Sequence, residues 1–177
     1  MKLYLTIFLV IYLTSTSCSN SHNIPQASLK YLNFNPIDKK HPVLDIFEIH
    51  FTSDIQIDSL IKEKGGSPSF ICLFTNQKEF GVKEIVDNKY NISGYLKEGK
   101  EKMTPNGFHK YTSLVKFHNN SNEKNKYLSN NEIKKLLLKK KCIPCKIEDR
   151  FFLNTTKPYL SKSMCIPVED ILEAIDE

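Results

Sequence analysis

Tryptophan is absent from this 177-residue chain, and glycine is scarce. All six glycines lie between Gly65 and Gly107. The sequence therefore contains neither of the glycine-rich phosphate-binding loops, G-x-G-x-x-G and G-x-x-x-x-G-K-[ST]. Nucleotide enzymes that depend on those loops are excluded. Hydrophobic residues make up 40% of the chain and charged residues 25%, which fits one ordinary globular domain.

The chain also lacks the short motifs of several enzyme classes. There is no G-x-S-x-G elbow, no H-E-x-x-H pair and no calcium-binding loop. Cys142 and Cys145 have the spacing of half a zinc site, which needs two further ligands, and His50, His109, His118 and Cys165 could supply them only if the fold gathered them. We therefore expect no enzyme activity, no cofactor and no bound metal.

Long hydrophobic runs are missing as well. The longest one, Leu3 to Leu13, has eleven mostly apolar residues, whereas a membrane-spanning helix needs about 20. It follows the positive charge of Lys2 and precedes small polar residues and then Cys18. This order of residue types is typical of an export signal that is cut before the cysteine.

The segment resembles the signal peptide of bacterial lipoproteins, in which the processed cysteine becomes a diacylglycerol-modified first residue. Thr16 and Ser17 fit the processing motif, and Ser15 stands where such lipoproteins usually carry leucine. The resemblance implies a signal peptide over residues 1–17 and a lipid anchor on Cys18. It also implies attachment to a membrane of the bacterial cell envelope, with the domain facing the periplasm. The alternative is an ordinary secreted protein cut at the same bond.

The remaining chain divides into a tether and a domain. Residues 18–42 are polar and contain three prolines, which indicates a lipid-attachment site followed by a tether whose second half can pack on the domain. Residues 43–177 are predicted to form a single α+β domain with a mixed sheet and three to four helices. Strands at 43–51 and 69–75, if parallel neighbours, would be joined by a right-handed crossover helix.

Hydrophobic periodicity and capping motifs predict the individual elements. Residues 88–103 show no clear pattern. The predicted strands cover 43–51, 69–75, 110–118 and 145–153. The predicted helices begin at the capping boxes Ser53–Gln56 and Ser129–Glu132, after Asn76, and at Pro167.

Charge is distributed unevenly along the chain. Lys97 to Lys162 contains 16 basic and 6 acidic residues, whereas Ser163 to Glu177 contains 5 acidic residues and no basic one. The Lys-rich segment predicts a surface for an acidic protein or for anionic lipid, although a simply solvated face explains it too. Nucleic acid is not an expected partner, because the chain is exported and aromatic residues do not alternate with the lysines.

The cysteines are the only group with possible chemistry. Apart from Cys18 they are Cys72, Cys142, Cys145 and Cys165. Cys142 and Cys145 have the C-x-x-C spacing of thiol oxidoreductases, but they follow a helix, whereas a reactive thiolate is favoured at a helix start. We expect instead a structural disulfide from Cys142 or Cys145 to Cys165, with Cys72 as a buried free thiol.

These observations together predict an exported, lipid-anchored envelope protein with a binding or structural role. A periplasmic thiol–disulfide protein that uses Cys142 and Cys145 is the first alternative. An immunity-like protein that inhibits a toxin at the envelope is the second.

Overall fold

The computed structural model describes residues 23–37, 46–120, 126–150 and 157–176, without the side chains of residues 98–102 and 126. The strands are β1 (Leu29–Pro36), β2 (Phe47–Ser53), β3 (Ser69–Leu73), β4 (Tyr90–Met103), β5 (His109–Asn119), β6 (Lys126–Tyr127), β7 (Cys142–Asp149), β8 (Tyr159–Leu160) and β9 (Met164–Pro167). The helices are α1 (Ile57–Lys62), α2 (Val82–Asp87), α3 (Asn130–Leu137) and α4 (Val168–Asp176).

The predicted α+β class with a mixed sheet is wrong. The protein is mostly β, with 43% of the described residues in strands and 22% in four short helices, and its sheet curls into an open half-barrel. The strand order is β1-β2-β5-β4-β3-β7-β8, with β6 paired to β5 and β9 paired to β7. Every pairing in the described residues is antiparallel.

The predicted parallel pair and its crossover helix are also wrong. β2 lies between β1 and β5, whereas β3 lies between β4 and β7. The helix between them, α1, has six residues and forms where the periodicity predicted it. Strand periodicity shows which residues face the core, but it does not specify the neighbouring strand. The partner was therefore assigned incorrectly although both strands were found.

Aromatic residues fill the main core on one face of the sheet. Phe34 of β1 stacks on Phe47 of β2, and both contact Phe117 of β5. A second group places Phe51 between Phe70 and Tyr111, with ring centroids 5.3 and 5.7 Å from its own. Tyr111 and Phe117 alternate with more exposed residues along β5, which is the pattern of a half-buried strand.

Helices α3 and α4 cover this core. Ser129 caps α3 by accepting a hydrogen bond from the Glu132 backbone, and the Glu132 carboxylate accepts one in return, so the predicted capping box is confirmed. The predicted box at Ser53 is wrong, because Gln56 occupies the cap position of α1 and makes no side-chain cap. The helix predicted after Asn76 begins only at Val82.

The segment before β1 connects the two sides of the curled sheet. The Lys162 backbone N–H donates to the Ala27 carbonyl at 2.9 Å, and the Ala27 N–H donates to the Tyr159 hydroxyl at 3.0 Å. The Tyr31 hydroxyl donates to the Asp170 carboxylate on α4. Ile24 and Ala27 are buried in the main core. The sheet thus begins inside the segment that the sequence analysis assigned to the tether.

Candidate functional site

A cleft of about 730 Å³ lies where β7 and β9 meet the loop that follows β3. It is lined by residues 75–79, 139–142 and 163–165 and by Pro144. Three segments that are distant in sequence therefore form one site. The sheet brings them together because β7 pairs with both β3 and β9.

A disulfide bond between Cys142 and Cys165 forms one wall of the cleft. Cys142 begins β7 and is half-buried, and Cys165 lies on β9 and is exposed. In the β7–β9 register Cys142 is opposite Pro167 and Cys165 is opposite Pro144, so the bond runs diagonally across the two strands. The predicted structural disulfide to Cys165 is confirmed, with Cys142 as its partner.

The second disulfide joins Cys72 to Cys145 across β3 and β7. The two residues are directly opposite in the register, and both are fully buried in the main core. The prediction of a free thiol at Cys72 is therefore wrong. All four cysteines of the described domain are bonded.

The C-x-x-C pair is not a dithiol site in this fold. Because side chains alternate between the faces of a strand, residues three apart on β7 point to opposite sides. Cys142 bonds to Cys165 on β9, and Cys145 bonds to Cys72 on β3. A strand assignment that began at Cys142 rather than at Cys145 would have placed the two thiols on opposite faces, but it would not have identified their partners.

Lysines surround the mouth of the cleft. Lys139, Lys140 and Lys141 follow α3, and Lys78 lies on the opposing loop. Lys139 has a φ of 64°, the left-handed conformation that ends the helix and redirects the chain into β7. The Lys140 ammonium donates to Asn76 Oδ1 at 2.7 Å, which joins the two sides. No carboxylate among the described residues forms an ion pair with these four lysines.

Among the described residues, Glu79 is the one acidic side chain that lines the cleft, and it already forms an ion pair. Its carboxylate lies 2.7 Å from the Lys146 ammonium and accepts hydrogen bonds from the backbone N–H and the hydroxyl of Ser163. The hydrogen bond from Lys146 is the main reason that the pKa of Glu79 is lowered. The cleft therefore retains a net positive charge at neutral pH.

The sequence predictions covered part of this site. Cys142, Cys165 and three lysines of the Lys-rich segment, Lys139 to Lys141, line the cleft, whereas Cys145 is fully buried in the core. Cys18 and the residues before it lie outside the described residues. The loop at 75–79 and Ser163 were missed, because no motif marks them and only the pairing of β7 places them beside the lysines.

Two further kinds of site are absent from the described residues. None of the helices there has the length and apolar character needed to cross a membrane. No three His, Cys, Asp or Glu side chains there are grouped as metal ligands. In comparisons with known proteins, no family, curated protein or solved structure matches the chain.

Proposed function

We propose that this chain is an exported protein, anchored through a lipid on Cys18 to a membrane of the bacterial envelope, whose domain binds an acidic segment of a partner protein. The observation that carries the binding role is the cleft beside the Cys142–Cys165 disulfide, where four lysines have no carboxylate partner among the described residues. An acidic segment that entered the cleft would neutralise charge that the domain itself leaves uncompensated.

The cysteines support the export part of the proposal. Disulfide bonds form and persist in oxidising compartments and are rare in the cytosol. Two bonds use all four cysteines of the described domain, and the fifth, Cys18, lies directly after the signal-like segment. Two disulfides in the domain and a lipid on Cys18 would together account for all five cysteines of the chain.

The cleft also favours a protein segment over a flat lipid surface as its occupant. Its lysines stand on two opposing sides, on the loop at 75–79 and on the segment that follows α3. A ligand must therefore enter between them to contact both. An extended acidic peptide has the shape and charge for this, whereas headgroups of a planar bilayer reach only the rim.

Binding of a fluorescein-labelled hexaglutamate peptide tests the cleft. We expect the double variant Lys139→Glu, Lys141→Glu to lower its affinity at least about tenfold near physiological salt, as measured by fluorescence anisotropy. Lys64→Glu, Lys89→Glu is the matched control, since it changes the charge equally at exposed lysines outside the cleft. Equal losses in both variants would show non-specific attraction and would refute the assignment to the cleft.

The intact mass of the native protein tests the anchor. We expect a chain that begins at Cys18 with attached acyl groups and in which no thiol reacts with an alkylating agent before reduction. Four cysteines should become reactive after reduction under denaturing conditions. A mass without lipid would refute the lipid anchor and favour the secreted alternative. Free thiols in the native protein would remove the argument for export that rests on the two disulfides.

A further inference from the structure

The chain joins the sheet at the end where the β4–β5 hairpin turns. In the register of adjacent strands, Leu29 is opposite Ser53, Ser53 is opposite His109, and His109 is opposite Met103. Neighbouring strands lie about 4.8 Å apart, so the start of β1 and the hairpin tip are separated by about 15 Å. Both therefore lie at one end of the curled sheet.

The distance from Cys18 to the folded domain is short. Ile24, six residues after Cys18, is already buried in the core. Ser28 is fixed just beyond the end of β2, because its N–H donates to Asp54 Oδ1 at 2.7 Å. Six residues extend over at most about 22 Å. A lipid on Cys18 consequently keeps Ile24 within that distance of the membrane surface.

The hairpin tip exposes apolar side chains on a firmly held turn. Met103 is 54% exposed and Phe108 is 41% exposed. The Thr104 N–H donates to the Phe108 carbonyl at 2.7 Å, and the Phe108 N–H donates to the Thr104 hydroxyl at 3.0 Å. The turn therefore holds both side chains outward without contributing them to the core, and their burial elsewhere would be favourable.

The residues beside the tip have the character of a membrane interface. Lys97 is exposed and Lys110 is half-buried on the paired strands of the hairpin. Basic side chains are attracted to the negative surface potential of anionic phospholipids.

We propose that the tip of the β4–β5 hairpin, with Met103 and Phe108, inserts into the headgroup region of the anionic membrane that holds the lipid on Cys18. This inference rests on the lipid anchor of the proposed function. The anchor brings this end of the sheet to the membrane, and the hairpin adds a second contact there. One acyl-bearing residue leaves a domain free to rotate, whereas two contacts set its orientation.

The lack of tryptophan makes a direct test simple. The lipidated full chain with Phe108→Trp would carry one tryptophan, at the hairpin tip. In vesicles that contain phosphatidylglycerol and lipids brominated on their acyl chains, its fluorescence should shift to shorter wavelength and lose at least about half its intensity. Val86→Trp is the matched control, because Val86 is 63% exposed on α2, which leads into the opposite end of β4. Its emission should be unchanged.

Three results would overturn the inference. They are equal quenching in both proteins, no quenching in either, and quenching of the Phe108→Trp protein that persists after Met103→Asp is added. In the wild-type chain, backbone amides of residues 103–108 should also exchange hydrogen more slowly with vesicles than without. Intact mass separates the causes of failure, since an acylated protein without quenching refutes only the docking. A chain without acyl groups refutes the anchor and the docking together.

Discussion

At the scale of single residues, Gly94 is required by a close approach of two strands. A Cβ atom there would overlap the Leu114 carbonyl on β5. Gly94→Ala should force the strands apart and lower the free energy of unfolding by about 1–3 kcal/mol, measured by urea denaturation. Gly81→Ala is the control, because the nearest atom to a Cβ there is the flexible Glu84 carboxylate, 3.2 Å away. Equal losses would contradict this explanation.

The pair of Glu79 and Lys146 gives a second prediction at this scale. Lys146 is buried, and its ammonium lies 5.1 Å from the centre of the Phe80 ring. Glu79→Gln would leave that charge without its counter-ion and should cost about 1–3 kcal/mol, less than for a fully buried pair because the carboxylate is 65% exposed. Adding Lys146→Met should recover part of the loss in urea denaturation.

The pH dependence of this pair follows from the lowered pKa of Glu79. A lowered pKa in the folded state means that the ion pair stabilises the protein above the ordinary value near 4.5, and that this contribution disappears as the pH falls through the folded value. The stability difference between wild type and Glu79→Gln should therefore shrink below about pH 4.5. A constant difference across that range would show that the carboxylate charge does not act on Lys146.

At the scale of elements, the two disulfides connect β7 to two of its neighbours, β3 and β9. The Cys142–Cys165 bond closes 23 residues, and the Cys72–Cys145 bond closes 73. The chain-entropy relation gives about 3 kcal/mol for the shorter loop. Cys142→Ser, Cys165→Ser should lower the free energy of unfolding by about that amount in guanidinium titrations. Wild type in a strong reductant should show a larger loss, and an undiminished stability of the double variant would contradict the account.

Elements held by local interactions were predictable from the sequence. Ser129 and Glu132 lie three residues apart, and the cap that they form depends on no other part of the chain. Pro167 precedes α4 for the same local reason. The strand order of the sheet is not set locally, because β3 pairs with β7, which lies more than seventy residues further along the chain. Periodicity identified β2, β3, β5 and β7, and it could not specify their order.

β4 was missed for a different reason. Only Asn91 to Tyr95 is flanked by strands on both sides, since β3 pairs with 91–95 and β5 pairs with 90–98 and with Met103. Beyond Leu96 the hairpin projects past the start of β3, and its sequence is polar there. A strand that is covered along half its length shows no consistent alternation. The part that projects is also the part to which we assign membrane contact.

At the scale of the whole molecule, tyrosine hydroxyls connect distant parts of the fold. Tyr111 donates to Asp58 on α1 at 2.9 Å, and Tyr31 donates to Asp170 on α4. Burial, and then these carboxylates, raise the pKa of both tyrosines far above the ordinary value of 10.0. A raised pKa in the folded state means that the stabilisation is complete below pH 10 and is lost as the pH rises further.

Alkaline titration tests this connection. The urea midpoint of the wild type should fall steeply above about pH 10, and Tyr111→Phe should make that fall shallower. Tyr95→Phe is the control, because Tyr95 is 78% exposed and its hydroxyl donates to no carboxylate in the described structure. An identical pH dependence in all three proteins would contradict the role of the buried hydroxyl.

The formation of the cleft also depends on the whole fold. Its lysines were visible in the sequence as a cluster of charge, but the acidic helix α4 might have neutralised them, as Asp176 does for Lys134. Only the assembled fold leaves Lys139 and Lys141 free of carboxylates among the described residues. A binding site composed of three distant segments therefore required the structure.

The positions of the disulfides decide how the protein would respond to a mechanical load. A pull between Cys18 and the C-terminus follows the backbone to Cys72, crosses to Cys145, returns to Cys142 and crosses again to Cys165. Residues 73–141 and 146–164 lie off that tensile path. Under force β1 and β2 would peel away first, and more than half of the domain, including the hairpin, would remain unloaded. The extension of the molecule would accordingly stop well short of the full contour length of its chain.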